Sequence, residues 1–214
     1  LGPLPRTSRA MNAPLKLYFS PGACSLASHI ALHEAGLEFT TEKVDLAAKK
    51  TEAGADFNAI NPKGYVPALA IGDDVLTEGT AVMQFIADKA PNKNLAPAAG
   101  SVERYRLQEW LGFINSEVHK PLGSLFAKPS DDVRNATVER FLKRVAYIDG
   151  KLAGQDFLLG NAFTVVDGYL FTVLGWTKFV GVDISAYPNV GAFLGRVAGR
   201  PEVQAALKAE GLLS

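Results

Sequence analysis

The sequence predicts an α/β N-terminal half joined to an all-helical C-terminal half. Three observations carry this reading. Before about residue 91, short apolar runs alternate with helical patterns. Beyond it, every strong pattern is helical. Between the two lies Pro91-Asn92-Lys93-Asn94-Leu95-Ala96-Pro97, a linker by composition.

In the first half, Leu15-Lys16-Leu17-Tyr18-Phe19 reads as a strand stopped by Ser20-Pro21-Gly22. From Ser25 to Ala35, Leu26, Ile30 and Ala31 recur at helical spacing, and Gly36 supplies a C-terminal stop. Phe39 to Leu46 reads as a second strand. A polar stretch with Lys49, Lys50 and Glu52 follows, then a short helix or turn over Ala55 to Ile60. Val66 to Ile71 reads as a third strand, and Gly72-Asp73-Asp74 as a hairpin turn into Val75-Leu76-Thr77. Glu78 to Lys89 is expected to be helical, with Val82, Met83, Phe85 and Ile86 as its apolar stripe. The order is β-α-β-α-β-β-α.

In the second half, Glu103 to Val118 reads as one long amphipathic helix and Asp131 to Leu152 as another. A third, Val165 to Val180, is apolar on most sides, as a central buried helix would be. Thr164-Val165-Val166-Asp167 ahead of it has the spacing of a capping box, preceded by apolar Phe163, and is read as purely structural. Val190 to Ala198 and Glu202 to Ala209, separated by Arg200-Pro201, complete the pattern. The expected domains are 11–91 and 98–214. Residues 1–10 lack an initiating Met and any apolar stretch of signal-peptide length, and read as a leader before a natural start at Met11.

Composition narrows the function. The chain of 214 residues carries 22 basic and 22 acidic side chains, a neutral balance that argues against a general nucleic-acid binder and against a polybasic membrane-surface protein. No apolar run approaches the roughly 18 residues of a membrane span. The one cysteine forms no intrachain disulfide and suits a reducing cytoplasm. A small-molecule enzyme fits all of this.

Cys24 is the sharpest candidate. Ser20-Pro21-Gly22-Ala23-Cys24-Ser25 places it directly after a strand, at the start of a helix. Unpaired N–H groups and the partial positive charge there favour a thiolate. A free thiol is only about 3% ionised at pH 7, and helix N-terminal cysteines fall well below the usual pKa. The alternative is a small buried hydrophobe. Ser25, Leu26 and Ala27 supply no second cysteine, so dithiol chemistry is excluded.

Asn61-Pro62-Lys63-Gly64-Tyr65-Val66-Pro67-Ala68-Leu69 is the second candidate. A proline opening a strand gives nothing to the ladder, and leaves Val66 with backbone that a peptide-like ligand could pair with. The alternative is an edge-strand proline without a ligand. In Leu76-Thr77-Glu78-Gly79-Thr80-Ala81, Glu78 and Gly79 open a helix whose N–H groups suit a ligand carboxylate, while Glu78 could accept from an ammonium group. Ordinary capping is the alternative. His29 and His33, four residues apart, lack companions for a metal site and read as surface or partly packed. His119 ends the long helix, where His and Lys also suit a C-terminus.

The SPGACS turn, AINPKGYVPAL, LTEG, EVHK, the FTVVD box with YLFTVLGW, and RPEVQAALKAEGL follow one another over nearly the whole chain after Met11. Together they resemble the glutathione transferase superfamily, specifically its bacterial beta class. The resemblance implies a thioredoxin-like N-terminal domain, an all-helical C-terminal domain, a cis Val66-Pro67 bond, a homodimer, and glutathione as substrate with no metal. It implies catalytic roles for Cys24 and His119. Val66, ahead of Pro67, would pair with the cysteinyl backbone of glutathione. Glu78 and Gly79 would hold its γ-glutamyl end, and Lys49 its glycyl carboxylate. Tyr18 and Ser25 would line the pocket, and His119 and Lys120 approach from the helical domain. Ser116 would reach glutathione across the dimer interface. Phe113 and Trp176 would wall the second substrate. Two positions depart from the pattern: Gly79 stands where many transferases have Ser, and Gly112 where beta members commonly have Asn.

The leading function is conjugation of glutathione thiolate to small apolar electrophiles, with Cys24 able to form a mixed disulfide. A glutathione-dependent thiol–disulfide reductase or dehalogenase, and a non-enzymatic binder of apolar compounds, are the alternatives.

Overall fold

A computed structural model describes residues 12–213, so the expected leader at 1–10 and the start at Met11 lie outside the described residues. The chain divides into two compact units. One runs up to Lys93 and takes in the residues from Ala205 on; the other is Asn94–Gln204. The helical region expected over 98–214 therefore yields its last residues to the first unit.

The first unit is built on a five-stranded sheet in the order β3-β2-β1-β4-β5. Its strands are β1 (Leu15–Phe19), β2 (Thr40–Asp45), β3 (Lys50–Thr51), β4 (Ala68–Ile71) and β5 (Asp74–Thr77). β1 and β2 are parallel, joined through helix α1 (Ser25–Ala35), and the other pairings are antiparallel. A parallel pair needs such a crossover. α1 is buried at every position except His33, because apolar and small residues cover all its sides. Gly36 ends it with φ 65°, as its lack of a Cβ allows. Short helix α2 (Phe57–Ile60) and helix α3 (Gly79–Lys89) complete the unit, with α3 packed along α1.

Two strand expectations change. The polar stretch after β2 contains β3, two residues long, with Thr51 opposite Val44. Such a strand is too short to show a period. The third strand begins at Ala68 rather than Val66, since Pro67 has no N–H for a ladder. β4 lies between β1 and β5, so Pro67 stands ahead of an interior strand and not on an edge.

The second unit contains α4 (Val102–Phe113), α5 (Lys120–Leu125), α6 (Asp131–Leu152), α7 (Val165–Leu174) and α8 (Pro188–Ala198). α9 (Pro201–Ala209) follows. The single helix expected over Glu103 to Val118 is interrupted. Ile114–His119 form a π-helical turn, in which the N–H of Lys120 reaches the carbonyl of Asn115. Pro121 explains it: its ring crowds the carbonyl four residues back, and a widened turn relieves that clash.

α7 is the buried central helix expected, but it stops at Leu174 and continues as one 3₁₀ turn, Gly175–Lys178. The capping-box reading holds at Asp167. Its carboxylate accepts the N–H of Thr164 at 2.8 Å and that of Leu158 at 2.9 Å.

Candidate active site

The turn between β1 and α1 is closed on itself. Ser25 Oγ accepts the N–H of Ser20 at 3.2 Å and donates to the Ser20 carbonyl at 3.3 Å. The Ser25 side chain is fully buried in that task, so it does not line a pocket as expected. What the turn leaves at the helix start is backbone N–H and the Cys24 thiol.

Cys24 Sγ donates to the carbonyl oxygen of Val66 at 3.1 Å. Burial pushes the thiol up to about 11. The N–H groups of Cys24 and Ser25 pull it the other way, and the Glu78 charge adds a small push up. The expectation of a low-pKa thiol is therefore corrected. Desolvation outweighs the helix-terminal N–H groups, although the side chain is only half-buried.

The Val66-Pro67 bond is cis, as the resemblance implied. Val66 is seated in a buried cluster with Tyr18, Val44, Phe57 and Ala68. The Tyr18 ring lies 5.9 Å from that of Phe57. Tyr18 thus supports Val66 from within the core, and is not the open pocket wall expected. Asn61, buried, donates to the Tyr65 carbonyl at 2.7 Å and holds this loop.

Glu78 opens α3 with φ 68°, and Lys49 has φ 56°. A left-handed backbone at a non-glycine residue costs energy and clusters at binding sites. The Glu78 side chain is 70% exposed and meets Lys63 Nζ at 2.8 Å. Lys63 also donates to Thr77 Oγ1 at 2.9 Å. Lys49 is the more covered of the two, with Nζ donating to the Gly64 carbonyl at 2.8 Å and lying 5.6 Å from the centre of the Tyr65 ring. A Cβ added at Gly79 would meet only Pro67, at 3.7 Å, so Gly79 is not required by space.

Two residues at this turn escape sequence reasoning. Glu210 accepts the N–H of Gly22 at 2.9 Å and pairs with His29 Nδ1 at 2.7 Å. His29 is 1% exposed, so the expectation of a surface or partly packed side chain is corrected. It is ringed by Phe19, His33 and Phe39. Glu210 follows α9 in a Schellman turn: Leu212 N–H bonds the Leu207 carbonyl, Gly211 N–H that of Lys208, and Gly211 has φ 75°. The local Glu-Gly signal predicts that turn but not what Glu210 touches.

In the second unit, His119 Nδ1 lies 2.6 Å from the Tyr169 hydroxyl. Its ring stands edge-on to Trp176 at 5.1 Å, and Trp176 edge-on to Phe126 at 6.0 Å. Burial lowers the His119 pKa, so the ring is neutral at physiological pH. Phe113 belongs to a different group, with Trp110 at 5.7 Å and Tyr147 at 5.4 Å. The single wall expected from Phe113 and Trp176 is thus two aromatic clusters. Ser116 is exposed and donates to the Gly112 carbonyl at 3.0 Å. Lys120 is exposed. Among the described residues no group of three or more His, Cys, Asp or Glu is placed to hold a metal. No described helix is long and apolar enough to cross a membrane.

Residues 22–89 match the glutathione S-transferase N-terminal domain, and residues 113–201 the C-terminal domain. Glutathione S-transferase GstA of Escherichia coli O157:H7 is 45% identical over 200 residues, spanning 92% of this chain and all of GstA. The chain belongs to the glutathione S-transferase family.

Solved structures agree with that assignment. A ternary complex of BphK, a bacterial GST, is 52% identical with a TM-score of 0.90, covering 92% of this chain and all of BphK. A sphingomonad glutathione S-transferase complexed with glutathione is 52% identical, with a TM-score of 0.87 and the same coverage. A beta-class transferase of Sphingomonas chungbukensis is 49% identical, also with a TM-score of 0.87 and that coverage. This glutathione S-transferase therefore pairs a thioredoxin-like β/α domain with an all-helical one and transfers glutathione. Its first unit brings Cys24 and Val66 into contact.

Proposed function

We propose that Cys24 serves this transferase as a protonated thiol that donates to the sulfur of bound glutathione. The observation that carries the reading is the Cys24 Sγ–H bond to the Val66 carbonyl. The cysteinyl backbone of glutathione pairs with Val66 and takes over that carbonyl, which frees the Cys24 S–H. It then joins the N–H groups of Cys24 and Ser25 in stabilising a glutathione thiolate, as oxyanion donors stabilise developing charge. The thiolate forms a bond to an electrophilic carbon, and the leaving group departs with its electron pair. Glu78 and Gly79 hold the γ-glutamyl end and Lys49 the glycyl carboxylate. His119, Lys120 and the Trp176–Phe126 cluster are assigned to glutathione and to the apolar electrophile, in a C2 homodimer.

A protonated Cys24 favours conjugation over disulfide reduction. Attack on oxidised glutathione needs the thiolate, which breaks the S–S bond and expels one glutathione thiolate. At a pKa of about 11 only about one thiol in ten thousand is ionised at pH 7. The mixed disulfide forms slowly, and with one cysteine in the chain nothing internal resolves it.

The test compares wild type, Cys24→Ser and Cys24→Ala with a chlorodinitrobenzene and with hydroxyethyl disulfide. Ser keeps a donor and should retain most conjugation. Ala should lose about tenfold or more, as when one donor to a developing anion is removed. Reduction should disappear in both. Equal conjugation in the Ala variant and wild type would overturn the donor role. Light scattering at a dimer mass should accompany activity.

A further inference from the structure

The turn that carries Cys24 has little packing of its own. Pro21 is exposed, and Gly22, Ala23 and Cys24 are half-buried, whereas residues 25–32 are buried. Gly22 takes φ 72° there, and a residue without a Cβ has many other conformations open to it. Yet the N–H groups and the thiol at this turn are the ones assigned above to the glutathione sulfur.

Glu210 and Leu212 belong to the same compact unit as the turn. One Glu210 oxygen accepts the Gly22 N–H at 2.9 Å, and the other meets His29 Nδ1 at 2.7 Å. Gly22 precedes Cys24 by two residues and His29 follows it by five, so one carboxylate spans the turn and the body of α1 with Cys24 between. A buried carboxylate is costly unless it is bonded. The Glu210 side chain is 0% exposed, and both its oxygens have partners. Leu212 adds an apolar cover: a Cβ added at Gly22 would lie 3.8 Å from Leu212 Cδ2. The His29 ring is seated against Phe19 at 5.6 Å and Phe39 at 5.7 Å, so the brace ends on a fixed group.

We propose that Glu210 is a positioning residue of the transfer reaction. Its carboxylate, spanning the Gly22 N–H and His29, fixes the turn so that the donors of Cys24 and Ser25 stay aimed at the glutathione sulfur. The proposal rests on the reading that these donors stabilise the glutathione thiolate. Preorganised donors act because they need no rearrangement as charge develops, and a turn free to move would forfeit that. Glu210 touches neither the sulfur nor Cys24 in this role; it acts through the backbone at Gly22.

The test is the pH profile of conjugation to a chlorodinitrobenzene at saturating glutathione, for wild type, Glu210→Gln, Glu210→Asp and Glu210→Ala. Gln loses the charge and keeps the reach, with an oxygen for Gly22 and an NH₂ for His29 Nδ1. It should keep the wild-type midpoint. Asp keeps the charge but is one methylene shorter, so it serves only one of the two partners. Asp and Ala should raise the midpoint for ionisation of bound glutathione by about one pH unit and lower kcat below it about tenfold. KM for glutathione should change by less than about twofold, since Glu78, Gly79 and Lys49 hold its two ends in the same reading. Asp carries the decision should Ala fail to fold. A midpoint unmoved in Asp overturns the proposal, and so does a midpoint moved in Gln and not in Asp, which would mark an effect of charge. A midpoint moved in Asp, with Cys24→Ala conjugating like wild type, upholds the brace through the N–H groups and overturns only the donor role of the thiol.

Discussion

The carboxylate of Glu210 accepts the backbone N–H of Gly22 at 2.9 Å, across 188 residues of sequence. Its other oxygen meets His29 at 2.7 Å, and both side chains are almost wholly buried. Two donors beside the Cys24 turn thus share one carboxylate from the far end of the chain. Glu210→Ala removes the acceptor that these two groups share and should cost about 1–3 kcal/mol for each buried group that loses it. Glu210→Gln, which keeps an acceptor for Gly22, should cost less. Urea unfolding of the two variants checks the order; equal losses would refute it.

Cys24 should react as a half-buried thiol of raised pKa. Its pKa of about 11 predicts an alkylation rate by iodoacetamide that climbs about tenfold per pH unit from pH 7 to pH 9. A rate that levels off below pH 8 would return Cys24 to the class of thiolates activated by a helix terminus.

Glu78 and Lys49 should not rank as enclosed against exposed, since Glu78 is the more open. Calorimetry should find that Glu78→Ala and Lys49→Ala weaken glutathione within about fivefold of each other, each solvent-accessible ionic contact being worth about 0–1 kcal/mol. Glu78→Gly should weaken binding as much as the Ala variant while raising stability by about 1 kcal/mol. That gain is the strain released at φ 68°. A Gly variant less stable than the Ala variant would rule out strain there.

Gly112 sits exposed in α4, and nothing lies within 4 Å of an added Cβ. Gly112→Asn should stabilise the fold by about 0.3 kcal/mol through helix propensity. Thermal melts on the variant decide this; a melt lowered by the change would show a clash that the free space does not predict.

Burial pushes Asp167 up to about 7. Its folded pKa lies above the unfolded value of about 3.9, so its contribution to stability is full below pH 4 and is lost as pH rises through 7. The stability advantage of wild type over Asp167→Asn should therefore shrink between pH 4 and pH 7.5. Melts across that range test the sign, and a growing advantage would contradict it.

Much of the fold was legible because local chemistry carried it. Proline and glycine stops bracketed β1 and α1, Gly36 and the Thr164–Asp167 spacing marked helix ends, and the change of period near residue 91 marked the units. Cys24, Val66 and Glu78 stood out as candidates because turns at strand ends and helix starts expose backbone, and such turns have short signatures. The sequence could determine these because each depends on a few neighbouring residues. Tertiary structure alone decided the rest. Whether Cys24 is a thiolate or a thiol turned on burial against the Val66 carbonyl, which no motif encodes. The Glu210 clasp on Gly22 and the Tyr169 contact with His119 join residues 188 and 50 positions apart. Such pairings arise only when the chain packs, since desolvation and long-range hydrogen bonding depend on what the fold brings near and not on what stands next in line.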